Sequence, residues 1–534
     1  MIRINGGIQW TAVGYQAFNM IQRRDPFIWY FNGNLNITLL DISLPFTYSY
    51  SNNHSQFTQP FNMQSFHPKY KWIQGHAGTL SLNFSPYTLN GHTFTGGAME
   101  IKPNGFYLGV MYGRLLKATP YNPDNNSNPP TFRRMGYAVK TGFEKGINSI
   151  TVAIFHAKDD PSSVQMIPAQ MSIMPMENTS VSFSGKTSIA QKINIDAEYA
   201  VSGLTRNIYS EIETTSFSGL SKFLLTTRMS TSFYKAWKAS VGYKFKRGAM
   251  QLNHEHIDPG FTTLGAYYFN SDLESWTVAP SFHTVNGKFS VSLNTGFQRN
   301  NLDHSKLTTT RRWVNALQIN FNPFQKLTTT FAYSNFTSVT NQKLRPDPFF
   351  QPSPADTLFY YQLSEQANAG VMYQVGKKIK HSISLMTSMQ KTRQLQPGVT
   401  APETVIINTN LSYAPQFTKT RATLQFLLNG NQSIADTLTT TQYGPGFQMT
   451  KGLLGNTLRL SAGSVYNRSM LNQQLQSHVW NHRFMLGWSP KVAKPELGKP
   501  SLSLSAVYIH KLRVTANTSN TGELTVNFNL AYQF

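Results

Sequence analysis

The last eleven residues, Leu524–Phe534, constrain the fold more than any other stretch of the chain. Leu524, Val526, Phe528, Leu530, Tyr532 and Phe534 alternate without a slip with Thr525, Asn527, Asn529, Ala531 and Gln533. Successive side chains of a strand point to opposite faces, so this stretch is a strand with one apolar and one polar face. Two environments suit it. In a soluble sheet the apolar face meets a core. In a membrane barrel it meets lipid, and the polar face meets a lumen.

Composition separates the two. Charged residues make up 13% of the chain, against about 25% in an average soluble protein. No apolar run reaches the roughly 20 residues of a membrane helix, and mean hydropathy is −0.32. A membrane barrel needs an apolar residue only at every second strand position, which keeps that average near neutral. It also uses aromatic residues at both interfaces, and these are 13% of the sequence. There is no Cys, which excludes a disulfide framework, thiol catalysis and Cys-ligated zinc. The net charge is +23, but Lys and Arg are scattered one or two per segment rather than clustered, which argues against nucleic acid. Met1-Ile2-Arg3-Ile4-Asn5 opens no signal peptide, since no apolar stretch follows. The barrel reading therefore expects a signal peptide upstream of Met1 and leaves room there for an N-terminal domain.

The second half of the chain reads as successive strands at Gly287–Gln298, Arg312–Asn322, Lys326–Ser334, Gln362–Gln374, Ile379–Gln390, Thr404–Tyr413, Arg421–Asn429, Thr439–Gln448, Thr457–Tyr466, His478–Trp488, Ser501–Ile509 and Glu523–Phe534. Trp480, His482, Phe484, Leu486 and Trp488, for example, oppose Asn481, Arg483, Met485 and Gly487. Short connections near Pro323-Phe324-Gln325, Val375-Gly376-Lys377, Pro415–Lys419 and Gly452–Gly455 alternate with longer ones. The longer ones are Asn300–Thr310, Asn335–Tyr361, Lys391–Glu403, Gly430–Leu438, Asn467–Gln476 and Arg513–Thr521. Tight periplasmic turns and long outer loops follow this rhythm, and its parity puts the C-terminus in the periplasm. The first half is less regular. Strands are expected at Phe27–Leu40, Ile42–Tyr50, Thr79–Phe84, His92–Ile101, Phe106–Arg114, Arg134–Glu144, Asn148–Ala157, Ser180–Gly185, Ile193–Val201, Lys222–Met229, Ala236–Lys246 and Ser275–Thr284, with weaker ones at Gly7–Gly14 and Met250–Ile257. Loop parity breaks between Arg206 and Ser271. The expected fold is all-β: one large antiparallel transmembrane β-barrel over residues 1–534, of roughly 24 to 26 strands.

Several stretches resemble an outer-membrane β-barrel family of Bacteroidota. They are Arg23-Arg24-Asp25-Pro26-Phe27, Pro68–Tyr70 with Gly78, Asn83–Gly91, Met111–Leu115, and Ile257-Asp258-Pro259-Gly260-Phe261 followed by Leu264–Tyr268. All lie in the first half. The resemblance implies the barrel and an outer-membrane location; the family has no assigned activity, so it implies no site. The closing strand itself resembles the last strand of bacterial outer-membrane proteins. That likeness implies that Phe528, Tyr532 and Phe534 serve as a C-terminal signal for the barrel-insertion machinery. No plug-sized domain precedes the strands, unlike TonB-dependent transporters.

Candidate chemistry is sparse. By strand alternation Lys238, Lys244, Lys246, Lys288, Arg421, Arg459 and Arg483 point into the lumen, because a base on the lipid face costs up to about 2–4 kcal/mol at mid-membrane. The 47 bases outnumber the 24 acids, so not all can pair, and a basic lumen favours anions. Met166, Met171, Met174 and Met176 could hold Cu(I); an adaptable apolar filler is the plainer role. His76, His92, His254, His256, His478 and His482 lack a Cys or carboxylate cluster to make a metal site. Glu144, Glu211 and Glu213 form no evident acid–base pair, and no nucleophile elbow or phosphate loop occurs. No catalytic residue, metal or cofactor is expected. The expected partners are outer-membrane lipid, the insertion machinery, and whatever fills so wide a lumen: inward loops, an N-terminal domain or a partner protein. The function that follows is a gated or plugged channel or transporter with an anion-attracting lumen. The alternative is a non-transporting scaffold in an outer-membrane complex. The Pro- and Asn-rich connections Thr119–Pro130 and Arg345–Pro354 are expected as exposed loops.

Overall fold

The computed structural model describes residues 2–52, 63–121, 130–164, 167, 171, 173–213, 225–267, 270–284, 286–306, 309, 311–341, 359–395, 403–491, 498–514 and 519–534. Among them every strand joins one sheet, each antiparallel to its neighbours in chain order. Two short segments, Met63–Phe66 and Lys69–Tyr70, lie end to end between Ile42–Ser51 and Ile73–Asn83. They are two halves of one wall strand, broken at His67-Pro68. Pro lacks the N–H a ladder needs. Counted as one, they give a closed barrel of 26 strands.

Closure is made by the two ends of the chain. Ile2–Phe18 pairs with Thr521–Gln533 from Gly7↔Gln533 to Phe18↔Gly522. Gly6 and Phe534 exchange backbone hydrogen bonds of 2.8 and 3.0 Å, and Trp10 meets Phe528 edge to face at 5.4 Å. Closure leaves no edge, so the described wall strands each have a partner on both sides, as a lipid setting requires. The faces follow the alternation. Leu524, Val526, Phe528 and Leu530 stand opposite Tyr508, Ala506, Leu504 and Leu502. The register carries that face through Phe484, Phe447, Phe426 and Leu385. Phe426, Phe447, Phe484 and Leu530 are all exposed, as a band waiting for lipid.

The two rims differ. At the rim that carries both termini, Leu39–Ile42, Lys145–Asn148, Phe245–Gly248 and Phe324–Leu327 are joined by two-residue turns. The opposite rim has the long connections, such as the one from Thr205 to Thr231. Short turns are periplasmic and long loops extracellular in this class. A closed barrel with an apolar outer band and this asymmetry is a protein of the bacterial outer membrane.

Three expectations change. Lys222–Met229 is no wall strand: it falls in the Thr205–Thr231 connection, whose described part makes only the isolated bridge Ile212↔Arg228. The missing strand is Met63–Tyr70, hidden by its His-Pro break. Removing one strand and adding the other restores loop parity across the barrel. Gly430–Leu438 and Asn467–Gln476 are not long loops. The strands run on to Ala435 and Leu471 and turn within two residues, Asn472 and Gln473 both taking positive φ of 47° and 66°. Two positive φ values match the twist of a hairpin, which a run of polar residues does not announce. Arg345–Pro354 lies outside the described residues.

Candidate functional site

The lumen has two unlike sides. On one, two extracellular connections turn inward. The first runs from Asn83 to Asn90, the second from Ile257 to Leu273. Phe84, Tyr87 and Leu89 of the first pack with Phe261 and Leu264 of the second against the inward side chains Leu80, Phe94, Met111, Phe155, Leu204 and Tyr234. Tyr87, Leu89, Phe94, Phe155 and Phe261 are at most 1% exposed. This is a hydrophobic core inside a membrane barrel. Burying side chains of this size is worth about 1.5–3 kcal/mol each, enough to hold loops that have no strand partner.

Polar contacts register the two loops. The Asn90 N–H donates to the Gly265 carbonyl at 2.9 Å, and the Thr263 hydroxyl to the Thr88 carbonyl at 2.7 Å. The Leu264 N–H donates to Asn178 Oδ1 at 3.0 Å, and the Ser202 hydroxyl to the Thr262 carbonyl at 2.6 Å. A Cβ at Gly265 would lie 2.5 Å from the Thr88 carbonyl oxygen, so only glycine allows this approach. Tyr87 Oη donates to Glu255 at 2.8 Å, and the Ser85 hydroxyl bonds Glu198. Lys238 Nζ is 3.1 Å from Glu198 and 5.8 Å over the Tyr87 ring. Burial, then the Glu255 and Glu198 charges, push the Tyr87 hydroxyl far above its ordinary value, so it stays a donor. The resembling blocks Asn83–Gly91 and Ile257–Tyr268 are therefore the inward loops themselves (268 lies outside the described residues). Their sequence carried the resemblance but nothing that told inward from outward.

The other side of the lumen holds no inward loop among the described residues. From Phe289–Arg299 round to Lys499–Arg513, described inward positions are mostly Ser, Thr, Asn and Gln. No described strand there directs a carboxylate inward. Glu365 and Glu403 stand on the lipid-side register, opposite Lys391 and Arg393. Asn408, Asn410, Asn429, Asn431, Gln442, Asn467, Asn481 and Arg483 surround a recess of about 320 Å³ floored by Leu427 and Val465. Arg483 is exposed and its guanidinium donates to Asn481 at 3.4 Å.

The seven predicted bases do not form one ring. Lys238 faces inward but is ion-paired with Glu198. Lys244 faces inward nearer the periplasmic rim, in line with Lys238. Lys246, Lys288 and Arg421 lie in turns at that rim, beyond the strands whose alternation was used to orient them. Arg459 and Arg483 are inward on neighbouring strands, opposite Gly487 and Gly463. What alternation missed is the rim itself. Lys71, Lys102, Lys192, Lys246, Arg247, Lys288, Lys326, Lys377, Lys378, Lys419, Arg421 and Lys491 all sit in periplasmic turns and all are exposed. Asp41 is the sole acid among the described periplasmic turn residues. Phe528 and Tyr532 lie on the lipid face, with the Phe534 ring tilted against Tyr532 at 5.8 Å.

The remaining candidates have structural partners. His254 and His256 face outward and stack on Trp276 and Trp237 at 4.0 and 3.9 Å. His478 bonds the Tyr466 hydroxyl and His482 lies against Trp480. His92 stacks on Tyr267 at 4.1 Å. His76 bonds His67 at 2.7 Å and approaches Glu100 at 3.5 Å. Glu144 pairs with Lys140 at 3.0 Å, while Glu211 and Glu213 lie in the Thr205–Thr231 connection. Met174 is exposed and Met176 packs on the inner core; Met166 lies outside the described residues. Among the described residues no three His, Asp or Glu groups come together as a metal site.

The chain matches no protein-family profile and no curated protein. Solved structures similar to it include the P pilus usher PapC translocation pore, at 9% identity and TM-score 0.35, covering 99% of each chain. A mutant ferric enterobactin receptor, PfeA, from Pseudomonas aeruginosa has 11% identity and TM-score 0.40, with 99% of this chain and 80% of that one covered. OccAB2 from Acinetobacter baumannii has 9% identity and TM-score 0.29, covering 72% and 97%. Scores this low carry neither substrate nor partner across to this chain.

Proposed function

We propose that the chain is an outer-membrane pore for polar, preferentially anionic solutes, partly closed by its own inward loops. One observation carries this reading. The described inward loops lie on the side walled by the strands from Ile73–Asn83 to Gly248–Ile257, and from Phe289–Arg299 round to Lys499–Arg513 the inner wall is amide-lined, with arginines and no described inward carboxylate. Amides hydrogen-bond a passing hydroxylated or charged solute without trapping it. The guanidinium groups of Arg459 and Arg483, which meet no carboxylate among the described residues, and the basic periplasmic mouth bias the field toward anions. The Lys238–Glu198 pair contributes little to that bias, since the two charges cancel.

Planar-bilayer recording in neutral lipid tests the reading. The purified chain should give ohmic, anion-selective currents, and Arg459→Gln with Arg483→Gln should move the reversal potential toward cation preference. Lys238→Gln combined with Glu198→Gln, which removes a neutral pair, should move it less. Electrical silence from correctly folded protein would overturn the pore and favour the scaffold. Currents whose selectivity ignores the two arginines would overturn the anion path.

A further inference from the structure

The barrel sorts its charge by end. By sequence, the extracellular connections between strands hold nine bases (Arg and Lys at 23, 24, 117, 206, 222, 228, 306, 343, 345) and ten acids (Asp and Glu at 25, 124, 211, 213, 258, 272, 303, 347, 356, 436). The described periplasmic turns hold the twelve bases named above against Asp41. Much of the net charge of +23 therefore sits on one rim. The placement is circumferential: among the periplasmic turns only Leu40-Asp41, Gly146-Ile147 and Leu454–Thr457 lack a base. Among the described residues only Lys102 of the twelve has a carboxylate within ion-pair reach, Glu100 at 3.3 Å.

Just inside this rim the lipid-facing register carries exposed aromatic side chains, among them Tyr70, Phe143, Phe245, Phe324 and Trp488. Lys71 lies over the Tyr70 ring at 5.1 Å. Aromatic rings mark the headgroup level of a bilayer, so the bases lie at phosphate depth. Twelve like charges on one ring repel one another unless anions lie among them. A protein partner would call for a patch on one side. Charge carried by nine of the twelve turns, round the whole rim, matches a ligand that is itself present all round it.

We propose that the periplasmic rim is a binding surface for anionic phospholipid headgroups of the inner leaflet of the outer membrane. Each base near such a surface is worth about 1 kcal/mol, roughly a fivefold preference. This rests on the turns alone and not on the pore reading, which the neutral-lipid recordings test separately.

Native mass spectrometry of the detergent-purified full chain, offered equal phosphatidylglycerol and phosphatidylcholine, measures the preference. Wild type should retain phosphatidylglycerol at least fivefold over phosphatidylcholine, less so at high salt. Lys192→Gln, Lys326→Gln, Lys377→Gln and Lys378→Gln together should cut that ratio severalfold. The same four changed to Arg should keep it, which separates charge from folding. Equal retention of both lipids by wild type overturns the proposal, as does an unchanged ratio in the Gln variant. Retention of soluble polyglutamate with no lipid preference also overturns it, and assigns the rim to an acidic polypeptide.

Discussion

At the scale of single residues, the lumen shows why charge alone misleads. Lys238 and Arg483 look alike in sequence: each is a base at an inward strand position. Lys238 meets Glu198, whose side chain is 5% exposed, and becomes part of the hold on the inward loops. Arg483 meets only amides. Removing Lys238 leaves Glu198 buried with a hydroxyl for company, and stranding a buried charge costs about 3–5 kcal/mol. Lys238→Met should therefore loosen the loops and raise single-channel conductance; unchanged conductance with unchanged protease resistance of the loops would count against the hold. Phe261→Ala removes the side chain at the centre of the inner core. It should destabilise the loop pack by about 3–5 kcal/mol and leave the wall folded. Protease nicking near Pro259, with the barrel band still shifted in unheated gels, is the expected signature.

At the scale of elements, strands and loops obey different rules. A wall strand has its faces set by a period of two, and the second half was legible for that reason. The strands exceed the roughly 9–11 residues that span a membrane: Phe359–Val375 and Ile379–Leu395 each run 17. Strand signal therefore continued into polar stretches such as Gly430–Leu438 that composition marks as loop. Met63–Phe66 and Lys69–Tyr70 failed in the opposite way, because segments of four and two residues are too short to show a period. The closing strand makes its own prediction. We propose that its exposed aromatic end is read during insertion, so Phe534→Ser should lower the amount of folded barrel in the outer membrane severalfold. Equal assembly, measured by heat-modifiable mobility in membrane fractions, would remove that role.

At the scale of the whole molecule, the barrel is an asymmetric container. One side of its lumen is a small folded core, the other a polar wall, and its basic rim faces the periplasm. Replacing residues 84–89 by Gly-Asn should remove one half of the inward pack and release the other, since Thr88 and Thr263 hold each other. Conductance should rise severalfold while the proposed anion preference, assigned to the opposite wall and the mouth, persists. A rise that abolished selectivity would place the selective element in the loops instead.

The sequence by itself determined the barrel and the face of nearly every strand, because alternation is local and lipid enforces it at each position. It also held the basic rim in plain view, though as scattered bases whose common end emerged only once the turns were ordered around the wall. Tertiary structure decided which loops fold inward and which lumen charges are spent. Those outcomes rest on contacts such as Thr88 with Thr263 and Ser85 with Glu198, between residues 175 and 113 positions apart. No local period records a meeting of that kind. The chain must close into a cylinder before those residues can find each other.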